Sequence, residues 1–342
     1  MKAVWVTERG GPDVLRVQEV PKPTPGGGDV LVAVRACALN HLDIWVRTGT
    51  RPTFPRPIIP GSDIAGTVES VGPGVEGVKV GDDVVVFPGF TQRFSTERLT
   101  GYDVLCEDFG IIGAHRHGGC AEYVAVPAAN LIPKPPTVGW EVAASVPVTY
   151  VTAWHMLVAR AQLQPGETVL VQSAGSGVSA AAIEIARLLG ARVLATTGSE
   201  AKMDRARALG AEHVLNYKTD DIPSRVRKLT GGRGAAVVLD HMGAATFAAN
   251  MASLARGGRL VFCGTTGGAE ASVNLAAVYY QAQSILGSTL GTRAELATIL
   301  DLVAQGRLSP VIDRTFPLEE IRAAHEYMES PNRFGKVVLA IR

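Results

Sequence analysis

Residues 168–180 have the sequence TVLVQSAGSGVSA, and this stretch decides the fold of the second half of the chain. The apolar run 168–172 predicts a buried strand, and the small residues of 178–189 predict a helix. The glycine-rich turn between them lets a backbone approach a pyrophosphate, and a helix N-terminus offers free N–H groups and the positive end of its dipole. The pattern therefore predicts a dinucleotide-phosphate site, although an ordinary strand–helix turn has the same composition.

The candidate phosphate-binding residues belong to this turn, and Ser179 replaces the last glycine of the usual fingerprint. Position in the chain strengthens the prediction, because the turn opens a series of alternating strands and helices. The candidates are Ala174, Gly175, Gly177 and Val178.

Strands and helices are predicted to alternate after this turn. The predicted strands are 192–195, 213–215, 235–239, 259–263 and 284–287, and the predicted helices are 201–209, 222–229, 245–254 and 275–281. Parallel strands need crossover connections, so this alternation predicts a doubly wound, six-stranded parallel sheet of the Rossmann type.

The first part of the chain has a different pattern, with short Val-rich runs separated by Gly and Pro. The runs predict strands at 30–34, 66–71, 83–87 and 121–126, and residues 89–101 predict a surface lobe. A closing strand is expected at 336–341. We therefore expect two domains, a β-rich one formed by residues 1–130 and 291–342 and a dinucleotide-binding one formed by residues 131–290.

Composition favours a small-molecule partner over nucleic acid or membrane. The 342 residues carry 33 basic and 32 acidic side chains, and 46% are hydrophobic. No apolar run reaches the roughly 20 residues needed to span a bilayer, and the N-terminus lacks the apolar core of a signal peptide. Because the four cysteines are scattered with no CxxC, we expect a cytoplasmic protein without a disulfide framework.

The end of the second predicted strand indicates which cofactor is preferred. NAD sites place an acidic residue there for the ribose hydroxyls, but this strand ends in Ala-Thr-Thr-Gly-Ser at residues 195–199. Ser199 and Lys202 can hold a 2′-phosphate, so NADPH is expected over NADH. The alternative is that Ser199 only caps the next helix and Lys202 is solvated.

Taken together, the chain resembles the medium-chain dehydrogenase/reductase superfamily over essentially its whole length. The similar segments include ALNHLDIWVRTG (38–49), PIIPGSDIAGTV (57–68), VGPGVEGVKVGDDV (71–84), GGCAEYVAVP (118–127) and the closing FGKVVL (334–339). Within the superfamily it resembles both quinone oxidoreductases and a bacterial branch of zinc-type alcohol dehydrogenases. The resemblance implies a GroES-like catalytic domain beside the Rossmann domain.

The zinc-type members hold a catalytic metal, and the resemblance places its ligand positions at Asn40, Ser62 and Val148. Zinc favours sulfur or imidazole ligands, which these residues do not supply. The four cysteines of the structural zinc lobe match Gln92, Ser95, Arg98 and Cys106. We therefore expect no zinc; a metal at His115 and His117 is an alternative, and polar surface residues explain HRHGG equally well.

The resemblance also implies roles for individual residues. Asn40 and Asp43 match an Asn-x-x-Asp pattern of zinc-free quinone oxidoreductases, and Ser62 and Thr152 are further candidate catalytic groups. His41 and Lys336 match residues near the cofactor pyrophosphate, Thr152 one packed against the nicotinamide, and Tyr217 an aromatic of the adenine-phosphate pocket. Gly264, Thr265, Ser288 and Leu290 match segments near the nicotinamide amide.

The missing metal ligands decide between reactions. Hydride transfer to a carbonyl puts negative charge on oxygen, and hydrogen-bond donors alone suit acceptors that delocalise this charge. We therefore expect an NADPH-dependent reductase of quinones or α,β-unsaturated carbonyls. An NAD(P)-dependent alcohol dehydrogenase or carbonyl reductase is the alternative, and a cofactor-binding protein with little turnover is another.

Two further expectations concern packing. Asp43 and Asp63 can simply hold loops through backbone N–H groups, and Cys37 and Cys120 are expected to be inert core thiols. The last Rossmann strand, 284–287, is expected at a sheet edge, where a second copy would pair to form a homodimer.

Overall fold

The computed structural model describes residues 1–50, 54–93 and 95–341. The strands are β1 (Lys2–Val4), β2 (Val17–Glu19), β3 (Asp29–Leu39), β4 (Asp63–Val71), β5 (Asp83–Val86), β6 (Gly89–Phe90), β7 (Gly110–Ile111), β8 (Tyr123–Pro127), β9 (Leu131–Pro133), β10 (Thr168–Val171), β11 (Arg192–Thr197), β12 (His213–Asn216), β13 (Ala235–Asp240), β14 (Leu254–Phe262), β15 (Ser284–Gly287), β16 (Ile312–Pro317) and β17 (Lys336–Ala340). The helices are α1 (His41–Thr48), α2 (Thr96–Leu99), α3 (Trp140–Ala144), α4 (Thr149–Trp154), α5 (Gly177–Leu188), α6 (Glu200–Leu209), α7 (Ile222–Leu229), α8 (Ala244–Ser253), α9 (Leu275–Tyr280), α10 (Arg293–Ala304) and α11 (Ile321–Glu329).

Contacts divide the chain into two compact units. Unit 1 is Met1–Val151 with Thr292–Arg342, and unit 2 is Thr152–Gly291. The sequence-based domain boundary at residues 130 and 131 stays a prediction; by these contacts residues 131–151 group with unit 1.

Unit 2 contains the predicted Rossmann sheet. Its six strands have the order β12-β11-β10-β13-β14-β15, and every neighbouring pair is parallel. The chain runs outward from β10 in one direction and from β13 in the other, so the order reverses between these two strands. In such sheets ligands bind at the carboxyl ends of the strands near the reversal. The doubly wound expectation is confirmed, and β10 is the strand predicted to carry the phosphate-binding turn.

Unit 1 is built on a mainly antiparallel sheet with the order β16-β17-β3-β4-β5-β9, and β8 also pairs with β3. The long strand β3 organises it, because it pairs with β4, β8 and β17. Alternating apolar residues of these strands fill the core, as expected for a GroES-like domain. Leu39 lies opposite Val337 and Ala38 opposite Asp63, so the end of β3 meets the starts of β4 and β17 at one edge.

The predicted surface lobe of unit 1 is held by hydrogen bonds in the residues that are described. The Asp108 carboxylate accepts from the Thr91 hydroxyl at 2.5 Å and from the backbone N–H groups of Gln92 and Arg93 at 2.8 and 2.9 Å. Ser95 Oγ and Cys106 Sγ are 3.2 Å apart. Two of the matched structural-zinc positions therefore contact each other directly.

Strand β15 lies at an edge of the Rossmann sheet, as expected from the sequence. Its Ile285 is exposed. The homodimer inferred from this edge stays a prediction. None of the helices within the described residues combines the length and apolar character needed to cross a membrane.

Candidate functional site

A buried ion pair forms the centre of the candidate site in unit 1. Lys336 Nζ, at the start of β17, donates to Asp63 Oδ2 at 2.7 Å, to Asn40 Oδ1 at 2.7 Å and to the Leu39 carbonyl at 2.8 Å. Asn40 Nδ2 donates to the same Asp63 oxygen at 2.9 Å. The sheet register brings these groups together, because Asn40 follows β3 and the other two residues begin their strands.

The Lys336 ammonium uses its three N–H groups on these protein oxygens. Its side chain is 3% exposed and that of Asp63 is 0% exposed. The pyrophosphate role implied by the resemblance stays a prediction for Lys336. What the geometry adds is a second role, in which the ammonium neutralises a buried carboxylate and fixes the Asn40 amide.

Asp43 anchors the neighbouring loop. Its Oδ2 accepts from Asn40 N–H at 2.7 Å, and its Oδ1 accepts from Gly61 N–H at 2.9 Å. Gly61 has φ +100°, and a Cβ there would lie 2.6 Å from Cys37 Sγ, so glycine is required. Burial raises the pKa of Asp43 to about 6, although the two backbone N–H groups act against this rise. The loop-holding interpretation therefore describes Asp43, and its catalytic role stays a prediction.

Ser62 and Val148 occupy the other two metal-ligand positions of the zinc-type relatives. The Ser62 side chain is 0% exposed, and its Oγ has no hydrogen-bond partner. Val148 contributes its backbone N–H, which donates to Asp63 Oδ1 at 2.7 Å. An amide, a hydroxyl and a valine do not make a zinc site. Across the described ranges, no three His, Cys, Asp or Glu side chains are grouped to hold a metal ion.

The histidines of HRHGG serve unit 1 as hydrogen-bond acceptors. His115 Nδ1 accepts from Ile111 N–H at 3.0 Å, and His117 Nδ1 accepts from Ile59 N–H at 3.2 Å. His117 also packs against Trp5, with ring centroids 5.4 Å apart. These contacts favour the structural interpretation of the motif over the metal alternative.

The phosphate-binding turn of unit 2 has the predicted strand–turn–helix form. Ser176 precedes α5 as its N-cap, and its Oγ accepts from Ser179 N–H at 3.0 Å. Ser179 Oγ donates to the Gln172 carbonyl at 2.6 Å. Serine at this position is therefore compatible with close helix–strand packing, because its hydroxyl satisfies a carbonyl at the end of the strand.

The residues expected at the adenine end follow the next two strands. Ser199 is the N-cap residue of α6, but its side chain makes no capping hydrogen bond. The expectation that its hydroxyl caps the helix is therefore not met. Tyr217 follows β12, and a Cβ at Gly198 would lie 2.4 Å from its hydroxyl, so the phenol lies directly beside the end of β11. Lys202 lies in the first turn of α6.

The remaining candidates of unit 2 follow the carboxyl ends of the other strands. Gly264 and Thr265 follow β14, and Ser288 and Leu290 follow β15. Ser288 Oγ is buried without a hydrogen-bond partner, and Leu290 adopts φ +48°. Thr152 is buried in α4. The carboxyl edge of the sheet thus collects the predicted cofactor residues from β10, β11, β12, β14 and β15.

The remaining residues singled out from the sequence are His41 and three cysteines. His41 begins α1 and packs edge-on against Trp45 at 5.1 Å; burial, with the charge of Arg333, lowers the pKa of its imidazole. Cys37 and Cys120 are buried with their sulfurs 3.9 Å apart, and their mutual hydrogen bond and burial raise the pKa of Cys120. Burial raises the pKa of Cys263 to about 12, so its thiol stays protonated at neutral pH.

Sequence reasoning missed one polar cluster beneath the phosphate-binding turn. Gln172, Thr196 and Asn250 are buried and hydrogen-bonded to one another. A signal was present, because Gln172 and Asn250 are polar residues in a mostly apolar predicted strand and helix, and Thr196 directly follows a predicted strand. The sequence did not reveal that the three meet.

Comparison with known proteins agrees with this architecture. Residues 26–136 match the alcohol dehydrogenase GroES-like domain, and residues 177–305 match the zinc-binding dehydrogenase family. A zinc-type alcohol dehydrogenase-like protein of Schizosaccharomyces pombe is 33% identical, covering 98% of this chain and 97% of that protein. A quinone oxidoreductase of Rattus norvegicus is 32% identical, and the match covers 100% of this chain and 98% of that protein.

A solved structure described as an NAD-dependent alcohol dehydrogenase is also similar. It is 48% identical, with a TM-score of 0.96 and full coverage of both chains. Relatives named for alcohol and for quinone chemistry therefore share both domains with this chain.

The raised pKa of Asp43 predicts a pH-dependent contribution to stability. Between about pH 4 and pH 6 the folded protein holds a proton that the unfolded chain has released, so this contribution falls as pH rises, by at most about 1.4 kcal/mol per pH unit. Asp43→Asn lacks this titration and offers one acceptor to two N–H groups. Urea unfolding from pH 4 to pH 7 should give the wild type a higher free energy of unfolding than Asp43→Asn. The difference between the two free energies should narrow as the pH rises to about 6.

Asp204→Asn is the matched control, because the Asp204 side chain is 86% exposed and pairs only locally with Arg207. Its gap from the wild type should not change with pH over the same range. A constant gap for Asp43→Asn would show that the buried carboxylate does not titrate as described.

Proposed function

The chain belongs to the medium-chain dehydrogenase/reductase superfamily of NAD(P)H-dependent oxidoreductases, and we propose that it works without zinc, prefers NADPH and reduces quinones or α,β-unsaturated carbonyls. The observation that carries the proposal is the replacement of metal ligands by hydrogen-bonding groups at Asn40 and Ser62, beside a buried ion pair. Each part of the proposal rests on a different group of residues.

Independence from zinc rests on donor chemistry. The position nearest to a ligand in character, Asp63, is already neutralised by Lys336, and its second oxygen accepts from Val148 N–H. A cation at this place would have to displace an ammonium that makes three hydrogen bonds. No step of the reaction is therefore assigned to a metal.

Stabilisation of the substrate oxygen falls to hydrogen-bond donors of the chain. A bound nicotinamide supplies the hydride. Asn40 Nδ2 has a second N–H beyond the one given to Asp63, and the buried Ser62 hydroxyl lacks a protein partner. Thr152 remains a catalytic candidate from the resemblance alone. A buried hydroxyl without a partner is costly, and a substrate oxygen would satisfy it.

The substrate class follows from the strength of these donors. Neutral donors stabilise an oxyanion less than a Lewis-acidic metal does. Quinones and enones spread the incoming charge over a conjugated system, so they need less stabilisation at one oxygen. An alcohol must instead lose a proton, and the described carboxylates of this site are committed to Lys336 and to backbone N–H groups.

Alcohol oxidation or carbonyl reduction is the second candidate. The NAD-dependent alcohol dehydrogenase structure, at 48% identity, favours it. A cofactor-binding protein with little turnover is the remaining alternative, and it predicts tight NADPH binding with no activity on any of the three acceptor classes.

The Ser62 hydroxyl provides the first test. We expect NADPH-dependent reduction of a quinone and an enone, followed at the nicotinamide absorbance, to be unchanged by a chelator. Ser62→Ala should lower kcat by about tenfold to a hundredfold, because it removes a donor to the developing oxyanion, and should leave the KM for NADPH unchanged.

Ser145→Ala is the control, since Ser145 is equally buried but donates to the Glu141 carbonyl of α3, the helix that it follows. It should leave kcat unaltered. Activity confined to aldehydes or lost on chelation would establish the alcohol dehydrogenase candidate instead.

Preference for NADPH rests on the carboxyl end of β11. The Ser199 hydroxyl is not used as a cap, Tyr217 lies against Gly198, and Lys202 lies in the first turn of α6. A hydroxyl and an ammonium suit a 2′-phosphate, and β11 ends without the carboxylate that would repel one. The similar solved structure is described as NAD-dependent, so the affinities for NADPH and NADH need to be compared directly.

Ser199→Asp tests the preference directly. The new carboxylate should repel the 2′-phosphate and accept from the ribose hydroxyls of NADH, so the Kd for NADPH should rise by on the order of tenfold to a hundredfold while that for NADH does not. Thr298→Asp adds the same charge to the exposed face of α10 and should change neither. Equal effects of Ser199→Asp on both cofactors would remove Ser199 from the 2′-phosphate site.

A homodimer is proposed through the edge strand β15. Its Ile285 and the neighbouring Leu275, Tyr279 and Tyr280 are exposed apolar side chains of unit 2. One chain has a mass of 35.9 kDa, and light scattering at micromolar concentration should give twice this mass. A single-chain mass would exclude this dimer, and Ile285→Lys should convert a dimer to that mass.

A further inference from the structure

A directional chain of hydrogen bonds lies beneath the phosphate-binding turn. The Thr196 hydroxyl accepts from Ser173 N–H at 3.0 Å and donates to Gln172 Oε1 at 2.6 Å. Gln172 Nε2 in turn donates to Asn250 Oδ1 at 2.6 Å. Gln172, Thr196 and Asn250 are each at most 3% exposed, so water does not compete for these groups.

The Thr196 hydroxyl accepts from the Ser173 N–H, which can only donate, and gives its own proton to Gln172 Oε1. The Gln172 amide is placed with its oxygen toward Thr196 and its nitrogen toward Asn250. Three elements, β10, β11 and α8, are thus tied to one peptide group of the turn.

That peptide group is the strained one. Ser173 adopts φ +52°, a left-handed conformation that costs a non-glycine residue about 1 kcal/mol. The next peptide is also held from β11, because Ala174 N–H donates to the Thr196 carbonyl at 2.8 Å. Ser176 N–H closes the turn on the Ser173 carbonyl at 3.0 Å. The path of the backbone into α5 therefore depends on Thr196 at two consecutive peptides.

We infer that Thr196, supported by Gln172 and Asn250, is a positioning residue that presets the phosphate-binding turn and so determines the affinity for the whole nicotinamide dinucleotide. The inference rests on the proposed location of the cofactor at this turn. None of the three side chains is itself a proposed ligand of the cofactor.

Loss of the hydroxyl would act on affinity through the free protein. Without this acceptor the partly buried Ser173 N–H loses its protein partner, and the residue gains by leaving the left-handed region. The N–H groups at the start of α5 would then no longer be held in the geometry that a pyrophosphate needs, and binding would have to restore it. Because the pyrophosphate is common to both cofactors, NADPH and NADH should be affected alike.

Thr196→Val is the decisive variant, since valine has nearly the same shape without the hydroxyl. We expect the Kd for both cofactors, measured by fluorescence titration, to rise about tenfold. The kcat at saturating cofactor should stay within about twofold, and Thr196→Ser should restore the affinity. Gln172→Met, which retains length but removes the amide, should give a smaller rise in the same direction and keeps the test open if Thr196→Val is poorly folded.

Thr230→Val is the matched control. Thr230 is also buried in unit 2, and its hydroxyl likewise accepts from a backbone N–H, that of Gly234, and donates onward, to the Val226 carbonyl, both at 2.8 Å. Its loss should lower the thermal midpoint comparably and leave both Kd values unchanged.

The outcomes separate this inference from the proposed function. Equal Kd values for the two valine variants, with equal loss of thermal stability, would show that Thr196 is merely structural and overturn the inference. A wild type that binds neither cofactor would instead overturn the proposed function, and the inference with it. If Thr196→Val raised the Kd for NADPH but not that for NADH, Thr196 would belong to the 2′-phosphate pocket, and the role in the turn would be contradicted.

Discussion

The Lys336–Asp63 ion pair is the interaction on which the candidate site of unit 1 depends. It joins the starts of β17 and β4 to the end of β3, and both charged side chains are almost fully buried. A buried pair of this kind is poor evidence for net stability, but removing one partner typically costs about 3–5 kcal/mol because the other charge is left uncompensated. The pair is therefore best understood as a constraint on geometry. With Lys336 on its oxygen and Asp63 on its nitrogen, the Asn40 amide has one orientation and one N–H left to give.

Unit 2 uses the same physical principle with neutral groups. A chain of buried hydrogen bonds that starts at a fixed donor restricts the groups behind it. In unit 1 the fixed donor is an ammonium, and in unit 2 it is the peptide N–H of a residue in the left-handed region. Both devices hold a turn at the end of a strand, Asn40 after β3 and Ser173 after β10. Sheets provide stiff supports for such turns, which is why the candidate functional groups collect at strand ends and not within the strands.

The sequence was most informative where local chemistry is strong. Strand and helix positions in the second half followed from periodicity, and β10, α7 and β15 fall within a residue of the expected ranges. The start of β14 was missed: the strand begins at Leu254, before the expected start at residue 259. Side-chain partners were least predictable. Ser199 has the identity and position of a cap yet its side chain does not cap. Lys336 pairs with Asp63, which lies 273 residues away in the chain. Such pairings depend on sheet register, which no local pattern in one sequence encodes.

Charge balance links the lost metal ligands to the proposed chemistry. A divalent ion among these positions would bring two positive charges, whereas the structure has a single ammonium matched to a single carboxylate, and a second carboxylate, Asp43, whose pKa burial raises to about 6. The ammonium is also turned toward Asp63 and two protein oxygens, so what remains for a substrate is the dipole of an amide and a hydroxyl. A diffuse negative charge needs less stabilisation at one oxygen than a localised alkoxide does, so neutral dipoles can suffice for it. An acceptor whose negative charge spreads over a conjugated system matches that field, and this match is the physical reason to place quinones and enones ahead of simple alcohols.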